Sequence, residues 1–208
     1  MFRSLFKPDS ALMITMSQIT DCIFLSMFWL LGCFPVVTAG ASFAALYDAS
    51  FRTYRRGAKH SWQRFFHVFR TNWKAGILPT VAVLAVFSGA VFLLIKIWNA
   101  AVAQQISFML FAAGAFLGML ILGTVSLAFP ILSRFENSFL SLMKNTILLG
   151  FVNLPRTLLL GILNAAAIFL CAYYVFPLFF LPSLAALLGS WLIEPMFKPF
   201  MNPEETAD

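Results

Sequence analysis

Acidic side chains are scarce in this chain. There are 8 among 208 residues, and none occurs from 49 to 135. Charge of either sign makes up 11% of the sequence, against about 25% in an ordinary soluble domain. With 61% apolar residues and 25 Phe, a water-solvated fold of this length would leave a large apolar surface bare. A bilayer removes that difficulty by acting as the solvent. Histidine is scarce as well. His60 and His67 are the only two, and neither has a carboxylate near it in sequence. HExxH, GxSxG and Walker patterns are absent. The three cysteines, Cys22, Cys33 and Cys171, lie inside apolar stretches without CxxC spacing. They read as small buried hydrophobes rather than as a disulfide framework or metal ligands. No catalytic residue, cofactor or metal is expected, and the chain reads as a non-enzyme.

What is present is a series of apolar blocks. A membrane helix needs roughly 20 mostly apolar residues. Residues 11–33 make a first span, too long for the core of a signal peptide. Pro35 and Gly40 then interrupt the chain, and 39–51 follow as a short crossing of small residues. Further spans are expected at 76–96, 106–130, 157–176 and 183–198, the last two divided by Pro177 and Pro182. Gly114 and Gly118 form a GxxxG packing signal in the fourth. The fold class is therefore all-α: a single polytopic membrane domain of five to six transmembrane segments plus two cytoplasmic amphipathic helices.

The net charge of +6 does not point to nucleic acid, because the cations flank apolar blocks and serve orientation. With six crossings both termini are cytoplasmic, and Lys96 is the single outer cation of 14. With five, Arg3 and Lys7 join it outside. The cytoplasmic loops are 52–74 and 133–156. In the first, Trp62, Phe65, Phe66, Phe69 and Trp73 share one helical face, opposite Gln63, Arg64, His67, Arg70 and Lys74. Such a helix suits the headgroup layer or a docking partner. In the second, a helix is expected from near Glu136 to near Asn153, with Pro155 opening the next span.

Ionisable groups at bilayer depth are costly and are functional candidates. Asp21 falls near the middle of the first span. Glu194 lies four residues before Lys198, and Asp48 four before Arg52, so both invite local i,i+4 pairs. Asn164 is expected to bond across helices.

The order of motifs resembles the YesL family of bacterial membrane proteins. "FPVVTAGASFAALY" carries Pro35, Thr38, Gly40 and Tyr47, and "FFHVFRTNWKAGI" carries Phe65, Phe69, Asn72 and Lys74. "FPILSRFENSFLSLMKNTILLGFVNLPRTLL" is similar to the family's central loop, with Pro130, Arg134, Asn145, Asn153 and Pro155. Ser42-Phe43 departs from the smaller pair usual there, which would loosen packing after Gly40. The resemblance implies a bacterial plasma-membrane protein with an accessory or regulatory role in carbohydrate uptake, beside an ABC permease or a membrane sensor kinase. No catalytic or binding residue is agreed for that family, so none carries over. The alternative from the residues is a small transporter or channel that uses the broken helix at Pro35–Gly40. The lipid bilayer is the one partner that composition demands, and a homo-oligomer is compatible with everything above.

Overall fold

A computed structural model describes residues 11–56, 60–103, 107–135 and 138–197. Among them the chain forms eight α-helices and no strand. They are α1 (Ala11–Cys33), α2 (Ala39–Arg56), α3 (Ser61–Val102), α4 (Phe108–Ser126), α5 (Ala128–Arg134), α6 (Phe139–Val152), α7 (Leu154–Tyr173) and α8 (Leu181–Phe197). Short 3₁₀ turns at Val36–Thr38 and Phe176–Phe179 join α1 to α2 and α7 to α8. Helices satisfy their own backbone polar groups, which is what hydrocarbon requires of a spanning segment.

Four stretches have the length and hydropathy to cross a bilayer: Met16–Cys33, Ser61–Val102, Met109–Arg134 and Leu154–Tyr173. These are the marks of an integral membrane protein. The expected second and sixth crossings are different in kind. α8 has 17 residues, about 25 Å of helix, which is short of the roughly 30 Å hydrocarbon core. α2 has 18 residues but carries Asp48, Arg52, Arg55 and Arg56. It is the wrapped centre of the molecule: from Gly40 to Phe51 every residue but Phe43 is buried. Its neighbours are α1, α3, α5 and α8.

The helix expected over 61–74 within the basic segment 52–74 is present, but the loop around it is shorter than expected. α2 continues through Arg56, and the amphipathic stretch 61–74 is continuous with the span that follows it. The result is one helix of 42 residues, about 63 Å long. Nothing between Trp73 and Gly76 breaks it, because Gly76 is buried with its Cα face against Ala41. Pro79 is accommodated inside the helix although it cannot donate to the carbonyl four residues back. Residues 61–74 are therefore the first third of a long rod. Their expected aromatic face is divided. Phe65 is 1% exposed and packs with Leu25, Leu46 and Val68, whereas Trp62 is 49% exposed. Phe66 and Trp73 are exposed as well.

In the second loop, α6 begins at Phe139 rather than near Glu136, which lies outside the described residues. Pro155 occupies the first turn of α7, where its missing N–H costs least. The GxxxG pair does not make the closest helix contact. Gly114 and Gly118 face the side-chain tips of Ile97 and Leu94 on α3. Gly123 and Gly161 instead bring the backbones of α4 and α7 together: a Cβ on Gly123 would meet the carbonyl of Thr157, and one on Gly161 the carbonyl of Met119. Small residues at a crossing allow this approach, and a backbone atom cannot yield as a side-chain tip can.

Gly161→Ala should accordingly destabilise the protein by about 1–3 kcal/mol, the usual range for overpacking. Gly114→Ala should be much milder, because the methyl of Ile97 can turn aside. Melting temperatures in detergent check this, and equal shifts for the two variants would remove the backbone contact from the account.

Candidate functional site

The break between α1 and α2 is built from the motif residues themselves. Pro35 ends the preceding helix, and the Thr38 N–H donates to the Pro35 carbonyl at 2.7 Å. The Thr38 hydroxyl is within bonding distance of two carbonyls, Gly32 at 2.6 Å and Pro35 at 3.1 Å. Gly40 N–H donates to Thr80 Oγ1 at 3.0 Å, and that hydroxyl donates in turn to the Gly76 carbonyl at 2.6 Å. A Cβ on Gly40 would run into Thr80 Oγ1 and the Phe129 ring. Backbone groups freed by the break are thus used inside the turn and in seating α2 on α3. Packing after Gly40 is close despite Ser42-Phe43. Ser42 is buried, and the Phe43 ring lies edge-on to Trp29 at 5.1 Å and stacks on Phe129 at 5.3 Å.

One turn further along α2 lies the densest polar cluster among the described residues. Asp48 is 0% exposed. Arg52 Nε lies 3.1 Å and Arg64 Nε 2.6 Å from its two carboxylate oxygens, and Arg134 Nε lies 4.0 Å from Oδ1. Arg134 also donates through Nη2 to Glu194 Oε1 at 2.7 Å, and the Tyr47 hydroxyl donates to the same oxygen at 3.1 Å. The Phe51 ring lies 4.4 Å from the Arg134 guanidinium carbon, a cation–π distance. The expected Asp48–Arg52 pair is present but is only one edge of this network. Glu194 reaches α5 and α2 rather than serving only a local pair, and Lys198 lies outside the described residues. A buried charge is tolerated only when paired and hydrogen-bonded. The planar fork of Arg134 suits it to join two carboxylates and an aromatic face at once. The cluster therefore joins α2, α3, α5 and α8 through ion pairs.

Asp21 lies near the middle of α1 and has a partner on another helix. It accepts a hydrogen bond from Ser61 Oγ at 2.6 Å, at the first residue of α3. Lys96 is 35 residues further along that helix, about 52 Å away. Asp21 thus belongs to the end of α3 near Arg64, because α1 packs beside the amphipathic third of the rod. Asn164 bonds across helices as its position predicts, from Nδ2 to Ser126 Oγ on α4 at 3.2 Å. Asn72 and Asn153 turn back to carbonyls on their own helices, Val68 and Leu149. Asn145 is exposed on α6, and Pro155 is exposed on α7. Of the residues singled out in the sequence, the structure brings together Tyr47, Arg134 and Glu194. It keeps Asn72, Asn145 and Asn153 out of that cluster. Arg64, which holds the shortest bond to Asp48, reads in sequence only as one cation on a basic helix face. Among the described residues, no group of three or more His, Cys, Asp or Glu side chains is poised to hold a metal.

Residues 22–95 match the model of a family described as "Protein of unknown function, DUF624". The match spans 74 of the 208 residues, from Cys22 in α1 to Ile95 in α3. It covers the break, all of α2, Asp48 and Arg64, and stops short of Arg134 and Glu194. Nothing among curated proteins or solved structures matches the chain.

Removing Asp48 leaves Arg134 short of one partner inside the fold. Breaking a buried pair costs about 3–5 kcal/mol, and Asp48→Asn should fall toward the lower end because Arg52 and Arg64 are each about one third exposed. Arg52→Met should cost no more than about 1 kcal/mol, as for a surface pair. Thermal unfolding in detergent separates the two variants. A larger loss for the arginine variant would contradict this geometry.

Proposed function

We propose that the protein is a non-enzymatic, multi-pass subunit of the bacterial plasma membrane, with both termini cytoplasmic, that works by assembling with a carbohydrate ABC permease or a membrane sensor kinase. The supporting observation is the outer face of α3. Trp62, Gln63, Phe66, His67, Arg70 and Thr71 line a shallow depression of about 620 Å³. The same turns of helix anchor Phe65 and Val68 in the core, so the depression is carried on a fixed element. Aromatic residues and arginine are the side chains enriched at protein interfaces. α6 adds a second exposed row, with Leu140, Ile147, Leu148 and Phe151. The carbohydrate connection rests on the resemblance to the YesL family, and the docking face rests on α3.

A small transporter working through the Pro35–Gly40 break is less well supported. A broken helix serves a substrate by offering it unpaired backbone groups. Here the Thr38 and Gly40 N–H groups and the carbonyls of Gly32, Pro35 and Gly76 are all bonded internally.

Purification in mild detergent should recover permease or sensor-kinase subunits with the wild-type protein. Trp62→Ala/Arg70→Ala, both exposed in the depression, should lose them while retaining its melting temperature. Recovery of the wild type alone, or undiminished recovery with the double variant, would count against assembly through this face.

A further inference from the structure

The two outer arginines of the charge cluster use only part of what they offer. Arg52 and Arg64 each reach Asp48 through Nε, and neither guanidinium has another hydrogen-bond or ion-pair partner among the described residues. Each planar fork therefore keeps its terminal N–H donors free. The side chains are 35% and 37% exposed, so these ends are open to solvent. One fork comes from α2 and the other from α3, and a single carboxylate holds them side by side. Arg55 lies one turn beyond Arg52 on α2. Its guanidinium carbon is 5.5 Å from the centre of the Phe51 ring and 6.0 Å from that of Trp191.

Charge is unbalanced at this mouth. Arg134 is matched by Glu194, which leaves Asp48 as the one acid shared by Arg52 and Arg64. Three cations thus meet two anions, before Arg55 is counted. Asp21, the other acid among the described residues, is bonded to Ser61 and makes no ion pair there. Guanidinium groups drawn together repel one another unless an anion stands between them.

Arginine forks match the oxygens of carboxylates and phosphates. A carboxylate presents two oxygens and is satisfied by one fork. A terminal phosphate presents at least three unbridged oxygens around a tetrahedral centre, so it can be held by two forks at once. We propose that Arg52 and Arg64 together bind a terminal phosphate group at the open mouth of the charge cluster, with Arg55 adding to the attracting field. A soluble phosphate and the headgroup of phosphatidic acid present the same oxygens. The inference stands apart from docking through the depression on α3, because none of these three arginines lines it.

Full-length protein in neutral detergent, stripped of lipid, serves for two measurements. Equilibrium dialysis against radiolabelled inorganic phosphate should show saturable binding of one phosphate per protein, or calorimetric titration with dioleoyl phosphatidic acid should show one saturable site, or both. Binding in the first alone identifies a soluble phosphate, and binding in the second alone identifies a lipid headgroup. Dioleoyl phosphatidylglycerol, whose phosphate has two unbridged oxygens, should bind far more weakly. Arg52→Gln should weaken binding roughly tenfold, the loss of one charge-assisted contact. Arg52→Lys keeps the charge without the fork. It should weaken binding severalfold, and it keeps the test valid if the glutamine variant does not fold. Lys96→Gln, at the far end of α3, should bind as the wild type does. No saturable binding in either measurement would overturn the proposal. So would phosphatidylglycerol binding as tightly as phosphatidic acid, unchanged affinity in the folded Arg52 variants, or an equal loss in Lys96→Gln.

Discussion

Asp48 can be buried only because three arginines close around it, and much of the architecture follows from that requirement. A carboxylate with no exposure needs cations at fixed positions. One comes from its own helix, one from α3 and one from α5. Arg134 brings Glu194 with it, and Glu194 brings α8 and the Tyr47 hydroxyl. Hydrophobic burial gives little direction to helices already surrounded by hydrocarbon, since lipid tails are as apolar as leucine. Ion pairs and close backbone contacts at small residues fix the arrangement instead. The charge cluster, the Gly40–Thr80 seat and the Gly123–Gly161 crossing are three such points.

Much of the chain was legible from its amino acids. The first helix, its end before Pro35, the break to Gly40, the start of α7 at Pro155 and the turn near Pro177 all follow from apolar length and proline placement. Within 52–74 the helix over 61–74 was legible too, but its continuity with the following span and the extension of α2 to Arg56 were not. Reading spans as gaps between charges assigns a cluster of cations to a loop. Here Arg52 and Arg64 lie within helices and face an acid. Asp21 lies near the middle of the first helix as its count from the start of that span gives, but its partner Ser61, 40 residues away, has no local signal in the sequence.

The polar cluster was half legible. The i,i+4 spacing of Asp48 and Arg52 is visible in the sequence and the pair is real. Arg64 joins from 16 residues away, and Tyr47 meets Glu194 across 147. No local pattern encodes such meetings, which depend on how α3, α5 and α8 pack around α2. The aromatic stripe of 61–74 was visible as a stripe, but its division into a buried and an exposed part depends on α1 and α2 covering only one side.

The unbroken course of α3 has a mechanical consequence. Its C-terminal arm packs Leu94 and Ile97 against Gly118 and Gly114 of α4, and its N-terminal arm carries Arg64 to the acid on α2. Between the arms, Gly76 and Thr80 press against Ala41 and Gly40. Pro79, which removes one rung from the helical ladder, lies within that same short interval. The rod is softest where it is clamped. The neighbours that crowd the helix there, Ala41 and Gly40, thus brace it over the stretch where its own ladder is interrupted.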